Sequence, residues 1–220
     1  MVGKYSLTRQ EATEDLLRRH VGTREDILGA AARIMRTEGY ARATTKEIAR
    51  AAGYSEAALY KHFQDKTEIF LRVLEEQVPS LSALLARLDR RPGTGDVREN
   101  LEELVVTAVR FYADSFPIAV SLFSSRALLT AHRERVRELG RGPRKPEELL
   151  TSYLAAEQRL GRLTASADPG AMAQLLLGAC FQQGFLAAFA GESPAEAELA
   201  DLARRLVATV LGATAGAGGG

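Results

Sequence analysis

Hydrophobic positions recur three and four residues apart along most of the chain, which is the spacing of one face of a helix. The first clear run is Ile27, Ala30, Ala31, Ile34 and Met35. Thr23 and Asp26 resemble a capping box and predict that this helix begins near residue 23, and Gly39 predicts its end. The alternation that is typical of strands is missing, so the pattern predicts an all-α fold.

Two short helices separated by a glycine are predicted next, around the stretch IARAAGYSEAALYKHF (48–63). A capping box of Thr44 and Glu47 begins the first of them. Gly53 ends it, because glycine adopts positive φ at low cost, and Ser55 caps the second helix. Such a corner predicts a helix-turn-helix, whose second helix enters the major groove of DNA, although other tight helical hairpins share these signals.

Longer helices are predicted after RRPGTGD (90–96), which has the composition of a linker. Asp96 is expected to cap a helix that runs to about residue 115, and Pro117 is expected in the first turn of the next helix. Further helices are predicted near 147–160, 169–190 and 194–213. The glycine-rich end of the chain has too few apolar side chains for a core, and we expect it to be disordered.

Composition and charge narrow the class of protein. The chain has 220 residues, of which 46% are hydrophobic, which is enough for a sizeable core. Residues 1–66 carry twelve Lys and Arg against nine Asp and Glu, a mild excess that permits a polyanion partner and equally fits an ordinary solvated surface. Glutamines interrupt the most apolar stretch, 171–190, which favours a buried helix over a membrane span. With no visible secretory signal and one cysteine, a cytoplasmic location is expected.

The segment TTKEIARAAGYSEAALYKHFQDKTEIF (44–70) resembles the DNA-binding signature of the tetracycline-repressor (TetR) family of bacterial transcription regulators. The matching positions are Thr44, Thr45, Ile48, Ala49, Ala52, Gly53, Ser55, Leu59, Tyr60, His62, Phe63, Lys66 and Ile69. With the first helix, the resemblance covers about residues 23–75, and the rest of the chain matches only in architecture. The resemblance implies a DNA-binding regulator, by default a repressor, that a small effector releases from a palindromic operator. A largely apolar effector would suit the aromatic residues of the C-terminal region.

The resemblance also implies a domain order. We expect a flexible or partly helical N-terminal arm (1–22), a helix-turn-helix DNA-binding domain (23–66), a helical effector-binding and dimerisation domain (67–213) and a disordered tail (214–220). The last two helices resemble the pair through which this family forms homodimers. Small residues on the first of them, such as Gly178 and Gly184, allow close approach of helices, with a buried internal core as the alternative.

The candidate DNA contacts are Arg42, Thr45, Lys46, Ser55, Glu56, Ala57, Tyr60, Lys61, His62 and Lys66. Groups at helix N-termini and the basic and aromatic side chains can hold phosphates, which gives affinity and register rather than sequence choice. Glu56, Ala57 and Ala58 depart from the basic residue, glycine and threonine found in many relatives. Glu56 either accepts a hydrogen bond from a cytosine amino group or only favours the positive end of the helix dipole, and Ala57 could touch a thymine methyl.

Aromatic residues of the C-terminal region are candidates for an effector pocket, and each also has a simpler interpretation as part of the core. The expected lining is Phe111, Tyr112, Phe116, Phe123, Arg126, Tyr153, Phe181, Gln182 and Phe185.

Other function classes have weaker support in the sequence. His20, His62 and His132 lack the spacing of metal ligands, and no acid–base pair is evident, so neither an enzyme nor a metal or cofactor site is expected. Cys180 lies in an apolar stretch, which favours a small hydrophobic role over an oxidant-sensing bond between subunits. Glu56 and the two alanines after it suggest the alternative of a helical adaptor with the same fold and no specific operator binding.

Overall fold

The computed structural model describes residues 9–76, 80–140 and 142–215, with side chains described for 22–76, 81–140 and 142–212. Over these residues the chain forms helices and no strand, so the all-α prediction is confirmed. The chain divides at residues 77–78 into two compact units.

The described part of the first unit contains α1 (Arg9–Thr37), α2 (Gly39–Arg42), α3 (Thr45–Ala52), α4 (Glu56–Leu59) and α5 (Lys66–Glu76). The predicted helix start near residue 23 is wrong, because α1 begins at Arg9 and continues through Thr23. The preceding stretch, 9–21, is rich in Arg, Glu and Leu and has neither glycine nor proline, so nothing in it ends a helix. Of the predicted arm, residues 1–8 lie outside the described part of the chain.

The core of the first unit lies where α1 packs against α3 and α5. Its buried side chains include Ile27, Leu28, Ala31, Met35, Ile48, Ala49, Leu59, Phe63, Ile69, Phe70 and Val73. The guanidinium of Arg24 donates to both carboxylate oxygens of Glu76 at 2.7 and 2.6 Å and lies 5.6 Å from the ring centroid of Phe63. These hydrogen bonds from Arg24 lower the pKa of Glu76. They also explain why α5 belongs to the first unit rather than to the second domain expected from residue 67.

The described part of the second unit contains α6 (Ser80–Arg90), α7 (Val97–Ser124), α8 (Arg126–Glu138), α9 (Lys145–Arg159), α10 (Pro169–Ala190) and α11 (Glu196–Ala215). Helix α7 is central, since α6, α8, α10 and α11 all pack against it. Pro117 lies inside α7 rather than in the first turn of a new helix, so that prediction is wrong. The burial of Ile118 and Leu122 just after it shows that packing holds the helix together despite the lost N–H donor. The break comes at Ser125, whose hydroxyl caps α8.

The stretch predicted as a linker between α6 and α7 is attached to α9 by buried polar groups. The carboxylate of Glu157, which is fully buried, accepts a hydrogen bond from the Gly93 N–H at 2.9 Å. Its other oxygen lies 3.2 Å from Arg162 Nη1 in an ion pair. Asn100 Nδ2 donates to the hydroxyl of Tyr153 at 3.0 Å. The stretch is therefore a fixed loop of the second unit.

Two helices, α7 and α10, are long and apolar enough to cross a membrane by length and composition alone. Core helices of soluble proteins have the same character, and these two pack against each other. Helix α11 extends through residues 214 and 215, the first two of the predicted disordered tail, and residues 216–220 lie outside the described part of the chain.

Candidate DNA interface and effector site

The corner between α3 and α4 is built by the local signals that the sequence carries. Thr44 and Glu47 form the predicted capping box, with the Glu47 N–H donating to Thr44 Oγ1 at 3.2 Å. Gly53 ends α3 with a φ of 82°, a left-handed conformation that glycine adopts without strain. The Ser55 hydroxyl then caps α4 by accepting from the Ala58 N–H at 3.2 Å. The predicted helix-turn-helix corner is confirmed.

Helix α4 buries Leu59, and four of the ten predicted DNA contacts lie on this helix or at its caps: Ser55, Glu56, Ala57 and Tyr60. Leu59 and Phe63 are buried under the corner. The exposed candidate contacts are Arg42, Lys46, Ser55, Ala57, Tyr60 and Lys61, and the half-buried ones are Thr45, Glu56, His62 and Lys66. The hydroxyl of Tyr60 reaches Thr45 at the start of α3, so the end of α4 and the start of α3 meet at one surface.

Glu56 takes part in a chain of hydrogen bonds that links α4 to the N-terminus of α3. The hydroxyl of Tyr60 donates to Thr45 Oγ1 at 3.3 Å, and the Thr45 hydroxyl donates to Glu56 Oε1 at 2.6 Å. The Thr45 hydroxyl proton is therefore directed to a carboxylate rather than to a phosphate. Sequence reasoning placed Glu56 in the first turn of α4, as the structure does, but did not foresee its contact with Thr45.

Lys66 is the first residue of α5, and its side chain reaches α2. Its ammonium is 3.9 Å from the ring centroid of Tyr40 and 3.4 Å from the carbonyl oxygen of Ala41. Partial burial lowers the pKa of this lysine. The hydroxyl of Tyr54 likewise donates to Asp26 of α1 at 2.9 Å. The contacts of Tyr40 and Tyr54 were not predicted from the sequence, because partners this far apart in the chain leave no local pattern.

Five of the predicted effector-pocket residues form a continuous row of rings on α7 and α10. Centroid distances are 5.2 Å between Phe111 and Tyr112, 5.3 Å between Tyr112 and Phe181, and 5.9 and 5.1 Å from Phe116 to Phe181 and to Phe185. Phe181 and Phe185 are 49% and 38% exposed. We call these five residues the aromatic row. It lies at the surface of the second unit rather than inside an enclosed cavity.

The other predicted pocket residues do not join the aromatic row. Tyr153 is buried in the core of the second unit beside Asn100, which precedes Phe111 on α7 by about 16 Å of helix. Phe123 is 79% exposed near the end of α7. Arg126 and Gln182 are also exposed.

A cleft of about 250 Å³ opens beside the aromatic row, between α7, α10 and the start of α9. Its lining includes the rings of Tyr112 and Phe181, the side chains of Glu147 and Gln174, and Gly178. Gln174 Nε2 donates to Glu147 Oε1 at 2.8 Å. Burial raises the pKa of Tyr112 to about 12, so its hydroxyl is neutral at physiological pH. The cleft thus combines two rings, an amide and a carboxylate.

The corner described above lies in a segment that matches a known protein family. Residues 27–73 match the profile of the bacterial regulatory proteins of the tetR family, from the buried part of α1 to the buried part of α5.

The DNA-binding unit of this chain belongs to the TetR family.

The first unit is therefore a helix-turn-helix DNA-binding unit of TetR type. Over 125 residues, 53% of this chain and 60% of the relative, the sequence is 33% identical to the nucleoid occlusion factor SlmA of Vibrio campbellii. The chain thus spans about 60% of the length of the curated relatives that it matches.

Solved structures share the fold along most of the chain. A protein of Mesorhizobium loti, assigned to the TetR-family transcriptional regulators, aligns over 89% of this chain and 98% of its own at 22% identity, with a TM-score of 0.68. The regulator FadR of Bacillus subtilis, solved with stearoyl-CoA, aligns over 85% of this chain and 97% of its own at 16% identity, with a TM-score of 0.61. At these identities the likeness concerns the fold.

Cys180, the one cysteine of the chain, points into the packing between α10 and α7. The residue is 1% exposed and its thiol lies 3.9 Å from the carbonyl oxygen of Val105. Burial raises the thiol pKa to about 12. A thiol that is protonated and covered is a poor nucleophile, so the geometry favours the packing role over oxidant sensing.

We expect Glu56→Ala to strengthen DNA binding. The substitution removes a negative charge from the predicted DNA-contact surface and frees the Thr45 and Tyr60 hydroxyls to donate to phosphates. Affinity for any duplex should rise about tenfold at low salt, and the slope of log K against log salt should steepen by about one. Fluorescence anisotropy across a salt series measures both quantities.

Glu25→Ala is the matched control, since it makes the same charge change on an exposed position of α1. If Glu56 instead reads a cytosine, Glu56→Ala will weaken the preference for one base pair without raising affinity for other sequences.

Proposed function

We propose that the protein is a transcriptional repressor that binds a palindromic operator as a homodimer and is released by a small, largely apolar effector. The observation that carries the proposal is the corner at Gly53, which buries Leu59 and leaves Tyr60 and Lys61 exposed at the end of α4. These residues lie within the segment matched by the family profile. Helices presented in this way enter the major groove, and side chains beside them hold the phosphates.

The surface of α10 supports the homodimer. Apolar residues lie on every side of this helix, and α7, α9 and α11 cover only part of it. Leu175 and Leu186 are 65% and 46% exposed, and Phe189 is 84% exposed. A second copy of the same face would cover them. A dimer supplies two α4 helices, and adjacent half-sites of a palindrome accept such helices ~34–36 Å apart.

The proposal also covers location and chemistry. A repressor of this kind works in the cytoplasm and catalyses no reaction. The adaptor alternative is not favoured, because the first unit keeps both the corner and its exposed basic side chains, among them Arg42, Lys46 and Lys61.

The test is a gel-shift titration on DNA flanking the protein's own gene, with light scattering to measure the mass of the free protein. A dimer that prefers one palindrome over scrambled DNA supports the proposal. A monomer, or binding with no sequence preference at any salt concentration, contradicts it.

Lys61→Ala should lower affinity for operator and scrambled DNA alike. Lys61 is exposed next to the end of α4, where it can neutralise a phosphate on one side of the groove. Losing one such contact should flatten the salt slope by about one unit. Arg98→Ala, an exposed basic position on α7, is the control and should leave the slope unchanged. An unaltered slope in Lys61→Ala would exclude a phosphate contact.

A further inference from the structure

The charge of the cleft beside the aromatic row is negative, and its carboxylate has no cationic partner among the described residues. Glu147 accepts a hydrogen bond from Gln174 at 2.8 Å but makes no ion pair in the described part of the chain. Lys145, two residues earlier, pairs with Glu148 at 3.3 Å instead. The carboxylate that lines the cleft therefore offers a free electrostatic site, whereas its neighbour is already neutralised.

The rings of the cleft favour the same kind of ligand. Tyr112 and Phe181 meet edge to face, with centroids 5.3 Å apart, and both line the cleft. The faces of aromatic rings attract cations, and an ammonium group between a ring and a carboxylate gains from both. Pro143, Pro146 and Leu177 supply apolar wall for an uncharged body.

We propose that this cleft binds a small organic cation, with its ammonium group between Glu147 and the two rings and its apolar body against the wall of prolines and Leu177. The assignment names the chemical class of the effector and so rests on the proposed function. The volume of about 250 Å³ lies below the ~300–1,000 Å³ of sites for drug-sized ligands, which restricts the ligand to a small amine.

The experiment is isothermal titration calorimetry of the DNA-free protein with three probes of one shape: 4-phenylbutylamine, 4-phenylbutan-1-ol and 4-phenylbutanoate. The amine is cationic at neutral pH, the alcohol neutral and the acid anionic. We expect the amine to bind about fivefold more tightly than the alcohol, which is the upper range for a solvent-accessible ion pair, and the acid to bind most weakly.

Two variants locate the site. Glu147→Gln should abolish the preference for the amine, whereas Glu148→Gln, a control in the same helical turn, should keep it. Gly178→Leu should weaken all three probes, because a Cβ at Gly178 meets no atom within 4 Å and a larger side chain would extend into the cleft. Thermal unfolding of each variant checks that the fold is intact.

The inference is overturned if none of the probes binds, if amine and alcohol bind equally, or if the preference survives in Glu147→Gln. Operator binding is measured separately by gel shift. If the protein binds its operator but no amine, only the inference of a cationic ligand is contradicted. If it binds the amine but no operator, only the repressor function is contradicted.

Discussion

Gly184→Ala should lower the free energy of unfolding by about 2–3 kcal/mol, the range of an overpacked core. Gly184 is buried where α10 crosses α7, and a Cβ built on it would lie 2.4 Å from Tyr112 Cβ and 2.9 Å from the backbone nitrogen of Ala113. Neither neighbour is the end of a flexible side chain, so the two helices must move apart. Urea unfolding followed by circular dichroism measures the change.

Gly178→Ala is the matched control on the same helix. A Cβ there meets no heavy atom within 4 Å, and alanine favours the helix by up to about 1 kcal/mol over glycine. The control should be neutral or stabilising. Equal stability of the two variants would show that α7 and α10 do not approach as closely as described.

Gly184→Ala should also affect ligand binding. Tyr112 lines the cleft and belongs to the aromatic row, so displacing it from Gly184 should weaken any ligand held there. From its sequence context, Gly184 is predicted to allow close approach of helices, either in a dimer or in an internal core. The structure uses it internally, against α7 of the same chain.

Sequence alone was sufficient for the corner of the first unit. Thr44, Gly53 and Ser55 act through atoms at most a few residues away, so their capping roles are visible as local patterns. The burial of Leu59 in α4 and of Phe63 just after it follows from the same reasoning, since the two residues are four positions apart.

Helix boundaries were less predictable where tertiary packing opposes a local signal. Thr23 has the form of a cap but lies within α1, and Pro117 has the form of a helix start but lies within α7. In the second case, the buried side chains on either side of the proline favour continuity of the helix. A local sequence pattern cannot predict the packing energy of these side chains, because that energy depends on which helices pack against α7.

The effector site was only partly predictable for a related reason. Composition identified the aromatic residues, and five of them meet in one row. Tyr153 has the same chemistry but lies among the core side chains beside Asn100. Glu147 and Gln174, which give the cleft its polarity, were not selected, because their proximity depends on how α9 packs on α10.

Glu157→Leu should destabilise the protein by about 3 kcal/mol, the lower end of the cost of breaking a buried ion pair. The lower end applies because the Arg162 side chain is 27% exposed and water can solvate it in part. The variant also removes the acceptor of the Gly93 N–H, so the loop before α7 loses one of its hydrogen bonds to α9. Urea unfolding measures the loss of stability, and the rate of hydrogen exchange at the Gly93 N–H measures how readily the loop opens.

Two further variants separate charge from hydrogen bonding. Glu157→Gln keeps a carbonyl oxygen for the Gly93 N–H and should protect the loop from exchange while losing the ion pair. Adding Arg162→Leu to Glu157→Leu removes the unpaired guanidinium and should recover part of the stability. Glu103→Gln, in an exposed pair with Arg87, should cost under about 1 kcal/mol. If Glu157→Leu costs no more than this surface variant, the buried pair does not hold the loop, and apolar contacts alone position α6 and α9.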